Sequence, residues 1–205
     1  MATVIVTHAI NSDGESLWYP DLRAELTKRG HDVNVLELPN PDAPSPDPWL
    51  ATLTDAVGES APSDTVLVGH SLGGVNTLRM LQRHNGEPFA GVVLVATMAH
   101  EVGVDALAGF FVPAFDWDRI RRAALHYRVL VAADDGVLTP DPFDHAKQFV
   151  TKLGATAVVK PSGGHLPNWT PETLPAHVRL PEAAQLVLDC LNHGLDPRPP
   201  AERLA

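Results

Sequence analysis

The chain has 205 residues, with 15 Lys and Arg against 25 Asp and Glu for a formal charge of −10, together with ten His, 19 Pro and one Cys. At that length a compact chain removes roughly 70 % of its unfolded surface from water, enough for one sizeable core, and 44 % apolar with 20 % charged residues is ordinary globular usage that argues against global disorder. The acidic balance disfavours nucleic acid and membrane surfaces as partners, the lone Cys190 excludes an internal disulfide, and with no Lys or Arg before Arg23 there is no secretory n-region, so one cytoplasmic domain over residues 1–205 is expected.

In chain order, Thr3 to Thr7 is a short β-branched run, followed by helical spacing from Leu17 to Arg29 that ends at Gly30. A second strand is predicted over Val33 to Leu36. Five prolines between Pro39 and Pro48 then make a stiff surface connection to a helix over Trp49 to Ser60. Further strands are expected at Thr65 to Gly69, Gly91 to Ala96, Tyr127 to Ala132 and Ala155 to Lys160, and further helices at Leu72 to Arg83, Asp116 to Ala124, Pro142 to Leu153 and Pro181 to Leu191. Gly86 and Gly154 stand where helix C-caps belong, and Pro181 suits a first turn. A second group of five prolines spans Pro161 to Pro181, and about 194–205 reads as a flexible Pro-rich tail.

Val66-Leu67-Val68, Val92-Val93-Leu94-Val95 and Val129-Leu130-Val131 are apolar without alternation. That is what strands covered on both faces require, so the sheet should be parallel. Strict β-α alternation predicts an open, doubly wound α/β domain whose functional groups lie just after strands.

After the third strand the chain reads Gly69-His70-Ser71-Leu72-Gly73-Gly74. This G-x-S-x-G form is that of a nucleophile elbow, in which a serine sits at positive φ on a turn so tight that its neighbours must lack side chains. Composition alone would produce the pattern about 0.07 times in such a chain. The P-loop alternative fails, because Val75 and Asn76 stand where Lys and Ser or Thr are needed, and the Rossmann spacing is missing.

A serine nucleophile needs a general base and a group that orients it, in the chain order Ser, Asp or Glu, His. His165 follows the last strand on the small-residue loop Ser162-Gly163-Gly164, and Asp134 and Asp135 follow the fifth strand, where one would orient the base and the other form a turn with nearby backbone N–H groups. The oxyanion donors should be the N–H of Leu72 and one from the loop after the first strand, at Ala9 or Ile10. His8 and His70 suit packing or hydrogen bonding; the histidine and cysteine spacings carry no metal pattern. Among the aromatics that could roof the site, Trp18, Trp117, Phe110, Phe111 and Trp169, only Trp169 is retained as a substrate contact, because it lies four residues past His165.

At these residues the sequence resembles the small serine hydrolases of the α/β-hydrolase fold, in the family of retinoblastoma-binding protein nine and the bacterial YdeN-like proteins. The likeness rests on Trp18-Tyr19-Pro20, the Gly69-His70-Ser71 turn, Phe115-Asp116-Trp117-Asp118-Arg119-Ile120, Asp134-Asp135-Gly136-Val137-Leu138 and Gly163-Gly164-His165. It implies Asp135 as the partner of His165. Two departures touch the pocket walls: His8-Ala9-Ile10-Asn11 lacks a Gly-rich run, and a Pro-rich stretch follows His165.

The expectation is a serine hydrolase of small carboxyl esters with Ser71, Asp135 and His165 as its catalytic residues, without cofactor or metal. It should act as a monomer or weak homodimer on a small-molecule acyl substrate. Its strand order should be 2-1-3-4-5-6, with no cap domain beyond Val102 to Phe115 and an open, shallow site. A non-catalytic protein-binding scaffold and an acyltransferase are the alternatives.

Overall fold

The computed structural model describes residues 1–168 and 178–192. Six strands, β1 (Thr3–Thr7), β2 (Asp32–Val35), β3 (Thr65–His70), β4 (Gly91–Val95), β5 (Tyr127–Ala132) and β6 (Thr156–Lys160), form one parallel sheet in the order β2-β1-β3-β4-β5-β6. This is the expected α/β-hydrolase arrangement. Helices α1 (Tyr19–Lys28) and α6 (Pro181–Leu191) cover one face; α2 (Pro46–Gly58), α3 (Leu72–Arg83), α4 (Trp117–Arg122) and α5 (Pro142–Leu153) cover the other. Two short 3-10 turns, Pro62–Asp64 and Asp105–Phe111, complete the described elements.

Burial explains why the inner strands are continuously apolar. On β3, Leu67 packs toward α2 and α3 while Val66 and Val68 pack toward α1 and α6; on β4, Val92 and Leu94 face one way and Val93 and Val95 the other. A strand whose two faces are both roofed has no solvent side on which to place a polar residue. The edge strands β2 and β6 are roofed less completely and carry Asp32, Asn34 and Lys160.

Local chemistry fixes several boundaries. Asp141 accepts from the Phe143 N–H at 2.8 Å and Pro142 opens α5, which ends on Gly154 in the left-handed region at φ 69°. The helix expected from Leu17 starts at Tyr19 because Leu17 turns left-handed at φ 56°. β4 ends one residue short of Ala96, which has φ 45°.

Two expectations are corrected. Pro46 and Pro48 belong to the first turn of α2, where a missing N–H costs nothing, so the Pro-rich connection stops earlier than supposed. Gly86 caps no helix: α3 ends at Arg83, and His84 leaves it in an extended conformation. The connection from β4 to β5 holds only the second 3-10 turn and α4, so the described residues build no separate cap domain. The tail expected at about 194–205 lies outside the described residues.

Candidate active site

Ser71 sits between the end of β3 and the first residue of α3 with φ 53° and ψ −121°, a strained conformation for a residue with a side chain. Its N–H donates to the Val95 carbonyl at 2.9 Å, tying the turn to the neighbouring strand. The flanking glycines are sterically required. A Cβ at Gly69 would lie 2.4 Å from the Gly74 Cα, one at Gly73 would lie 2.3 Å from the Thr7 carbonyl oxygen, and one at Gly74 would lie 2.0 Å from the Thr97 Oγ1.

The loops after β5 and β6 bring Asp135 and His165 to this turn. His165 Nε2 is 2.7 Å from the Ser71 Oγ, and its Nδ1 is 2.8 Å from one Asp135 carboxylate oxygen and 3.0 Å from the other. A carboxylate accepts, so Nδ1 carries the proton and Nε2 presents a lone pair to the serine hydroxyl. Asp135 also accepts from the Val137 N–H at 2.9 Å and the Leu138 N–H at 3.3 Å, which locks its rotamer. The arrangement can take a proton from Ser71 and hold the resulting imidazolium against a buried carboxylate.

Asp134 has a different task from the local turn expected of it. Its carboxylate accepts from the Gly164 N–H at 2.8 Å, across to the loop that carries His165, and this bond holds its pKa below the usual value. Gly164 has φ 57°, and a Cβ there would overlap the Asn168 side chain at 1.4 Å. Asp134 and Gly164 together set the start of the His165 loop.

Of the two expected donors after β1, the Ala9 N–H is already committed to the Tyr19 hydroxyl at 2.9 Å. That corrects the inclusion of Ala9. Among the described residues, the N–H groups of Ile10 and of Leu72, the first residue of α3, have no hydrogen-bond acceptor. His8 is buried, donates from Nδ1 to the Ala9 carbonyl and accepts at Nε2 from the Leu38 N–H, which leaves no ring nitrogen for a metal. No metal-binding cluster of His, Cys, Asp and Glu occurs among the described residues.

Sequence reasoning missed Tyr19. Its hydroxyl, 0 % exposed, lies 2.7 Å from His70 Nδ1, and His70 Nε2 lies 3.2 Å from the backbone carbonyl of His165. The signal available was Trp18-Tyr19-Pro20, noted only as a likeness. Trp18 roofs nothing: its indole N–H donates to the Leu166 carbonyl at 2.9 Å, and the ring is buried. Phe110 and Phe111 are core, Trp117 packs on Phe115 and Phe149, and Trp169 lies outside the described residues.

Ser71 is 3 % and His165 4 % exposed, so both side chains are recessed rather than spread on the open, shallow surface expected from the short chain. A cavity of about 560 Å³ opens on the loop after Ile10, lined by Asn11, Ser12, Asp13, Glu15 and Asp42 among others. A second, of about 500 Å³, lies between α1 and α6, and neither includes Ser71 or His165. No described helix is long and apolar enough to cross a membrane.

The family described as serine hydrolase matches residues 3–182. YdeN of Bacillus subtilis (strain 168), a hydrolase by name, is 29 % identical over 164 residues, which cover 79 % of this chain and 84 % of YdeN. The crystal structure of the ydeN gene product superposes with a TM-score of 0.84 at 26 % identity, covering 94 % of this chain and 100 % of that one. Est1E from Butyrivibrio proteoclasticus (TM-score 0.66, 11 % identity, 93 % and 88 % covered) and polyneuridine aldehyde esterase (0.63, 13 %, 92 % and 98 %) share the fold.

Proposed function

Because the chain belongs to the serine hydrolase family, we propose that it hydrolyses a small carboxyl ester through an acyl-enzyme on Ser71, with His165 as general base and Asp135 orienting it. The observation that carries this reading is the row Ser71 Oγ, His165 Nε2 at 2.7 Å and Asp135 at 2.8 Å on the other ring nitrogen. We also place the chain beside retinoblastoma-binding protein nine, on the Phe115 to Ile120 segment and the Asp134-Asp135 pair.

In the first step the Ser71 Oγ attacks the carbonyl carbon as its proton passes to His165 Nε2. The carbonyl π pair moves onto oxygen, and the Leu72 and Ile10 N–H groups serve as its donors. Collapse breaks the bond to the leaving alkoxide, which takes the proton from His165. Water then attacks the acyl carbon, gives its proton to His165 and releases the acid, with the proton returned to Ser71. Every proton is carried by this chain's own residues, so the scheme uses no cofactor.

The test is labelling with a fluorophosphonate probe and turnover of short and long acyl esters at neutral pH. Wild type should be labelled at one serine and should turn over the short neutral esters, while Ser71→Ala does neither. Labelling without turnover of any ester would instead support a non-catalytic scaffold, and faster product formation with an added alcohol or amine would support acyl transfer.

A further inference from the structure

The three buried groups Tyr19, His70 and the Ala9 N–H form a chain of hydrogen bonds whose directions are determined. The His165 carbonyl can only accept, so His70 Nε2 is the donor at 3.2 Å. The neutral ring then offers Nδ1 as an acceptor, and the Tyr19 hydroxyl donates to it at 2.7 Å. The hydroxyl oxygen in turn accepts the Ala9 N–H at 2.9 Å. The sequence of bonds runs one way, from the loop after β1, through the residue before Ser71, to the backbone of the residue whose ring faces Ser71.

We propose that Tyr19 and His70 are positioning residues that set both halves of the site at once, orienting the loop after β1 so that Ile10 is the donor to the oxyanion and holding the His165 backbone so that its ring meets Ser71. This rests on the assignment of Ser71, Asp135 and His165 above.

Three features support it. With the Ala9 N–H taken by the Tyr19 hydroxyl and the Asn11 N–H by the Pro41 carbonyl at 2.7 Å, the Ile10 N–H between them has no acceptor among the described residues. The His165 residue is held at two points: Asp135 takes the ring, His70 takes the carbonyl. The bonds also require a neutral His70. Burial, with His165 nearby, pushes its pKa down to about 3, and the two rings are 6.0 Å apart, so a charged His70 would oppose the imidazolium that must form on His165. Trp18 closes the arrangement, lying edge-on to Tyr19 and donating to the Leu166 carbonyl next to His165.

Tyr19→Phe removes the hydroxyl and keeps the ring. We expect it to lower kcat for a short ester by about 10- to 100-fold, the scale of a small misplacement of reacting groups, with KM within about twofold. Fluorophosphonate labelling should slow equally while still reaching one label per chain, which shows that the variant is folded. His70→Gln, whose amide can still donate to the His165 carbonyl, should retain more activity than His70→Leu. Unchanged kcat in Tyr19→Phe, or equal losses in the Gln and Leu variants, overturns the proposal.

A readout independent of activity separates this idea from the functional reading. In ¹⁵N-histidine-labelled protein, the His70 ring should show the Nε2–H tautomer without titration between pH 5 and 8. An Nδ1–H tautomer, or a midpoint near the ordinary histidine value, refutes the relay even in an active enzyme. Wild type that is never labelled at Ser71 refutes the reaction, and the tautomer then still decides the relay.

Discussion

Neighbouring carboxylates at 134 and 135 face different partners, although the chain gives them adjacent numbers. Asp135 meets the imidazole, and Asp134 meets a backbone N–H one residue before it. Asp135→Asn keeps the shape but can present an N–H to a ring nitrogen that needs an acceptor, favouring the wrong tautomer of His165. A loss in kcat of about 10⁴-fold is expected, as for orienting aspartates in general. Asp134→Asn retains an acceptor for Gly164 and should lose less than about threefold, since the carbonyl oxygen of an amide serves that bond as well. Steady-state kinetics on the two variants decide this, and comparable losses would mean that both carboxylates act on the ring.

At the scale of elements, α3 does more than carry Ser71 at its start. Arg79, two turns along, is buried, donates from Nε to the Phe110 carbonyl at 2.6 Å and from Nη1 to the Pro113 carbonyl at 2.5 Å, and stacks its guanidinium 4.3 Å above the Phe115 ring. The helix that opens just after Ser71 thereby fastens the segment between β4 and α4. Burial and nearby Arg83 lower the Arg79 pKa to about 10, so at neutral pH it keeps its charge and both bonds. Arg79→Met replaces the stem but leaves two carbonyls without donors, a cost of about 1–3 kcal/mol. Hydrogen exchange at Gly109 to Phe111 should accelerate in that variant, while exchange in β3 stays slow. Uniform acceleration through the sheet would show that Arg79 supports the whole core instead.

At the scale of the molecule, three buried histidines with lowered pKa values make stability depend on acid. Burial is the leading cause for His8, His70 and His145 alike, and each makes hydrogen bonds that suit the neutral ring. In the unfolded chain each takes up a proton near 6.5, whereas folded His70 resists until about 3. The unfolded state therefore binds more protons across that window, and stability is complete above about pH 6.5 and falls as the pH drops through it. His70 alone contributes a slope of about 1.4 kcal/mol per pH unit within the window. Urea midpoints measured from pH 8 to 4 should decline below 6.5, and His70→Gln should flatten the decline relative to wild type. A midpoint independent of pH would show that these rings titrate alike in the folded and unfolded states.

The sheet was legible in the sequence because two-sided burial leaves its mark on the strands themselves: Val66 to Val68 and Val92 to Val95 have no polar position. Ser71 and its glycines were legible for the same local reason, since the turn admits few residue types. Chain order and a loop of small residues found His165. The choice between Asp134 and Asp135 was not local, because it depends on which carboxylate reaches a ring 30 residues away. Tyr19 stood out only within the Trp18-Tyr19-Pro20 likeness and its role was not legible, because its hydroxyl acts on partners 10 and 51 residues distant. The same hydroxyl removed Ala9 from the pair of donors that spacing alone could not separate.

The path of the chain also sets a clock. Ser71 precedes His165 by 94 residues. A ribosome working at about 5–20 residues per second therefore makes the serine roughly 5 to 20 s before the histidine that would activate it. Through that interval the nascent chain holds Ser71 without His165, so on the proposed mechanism hydrolysis begins only once translation has passed the last strand of the sheet.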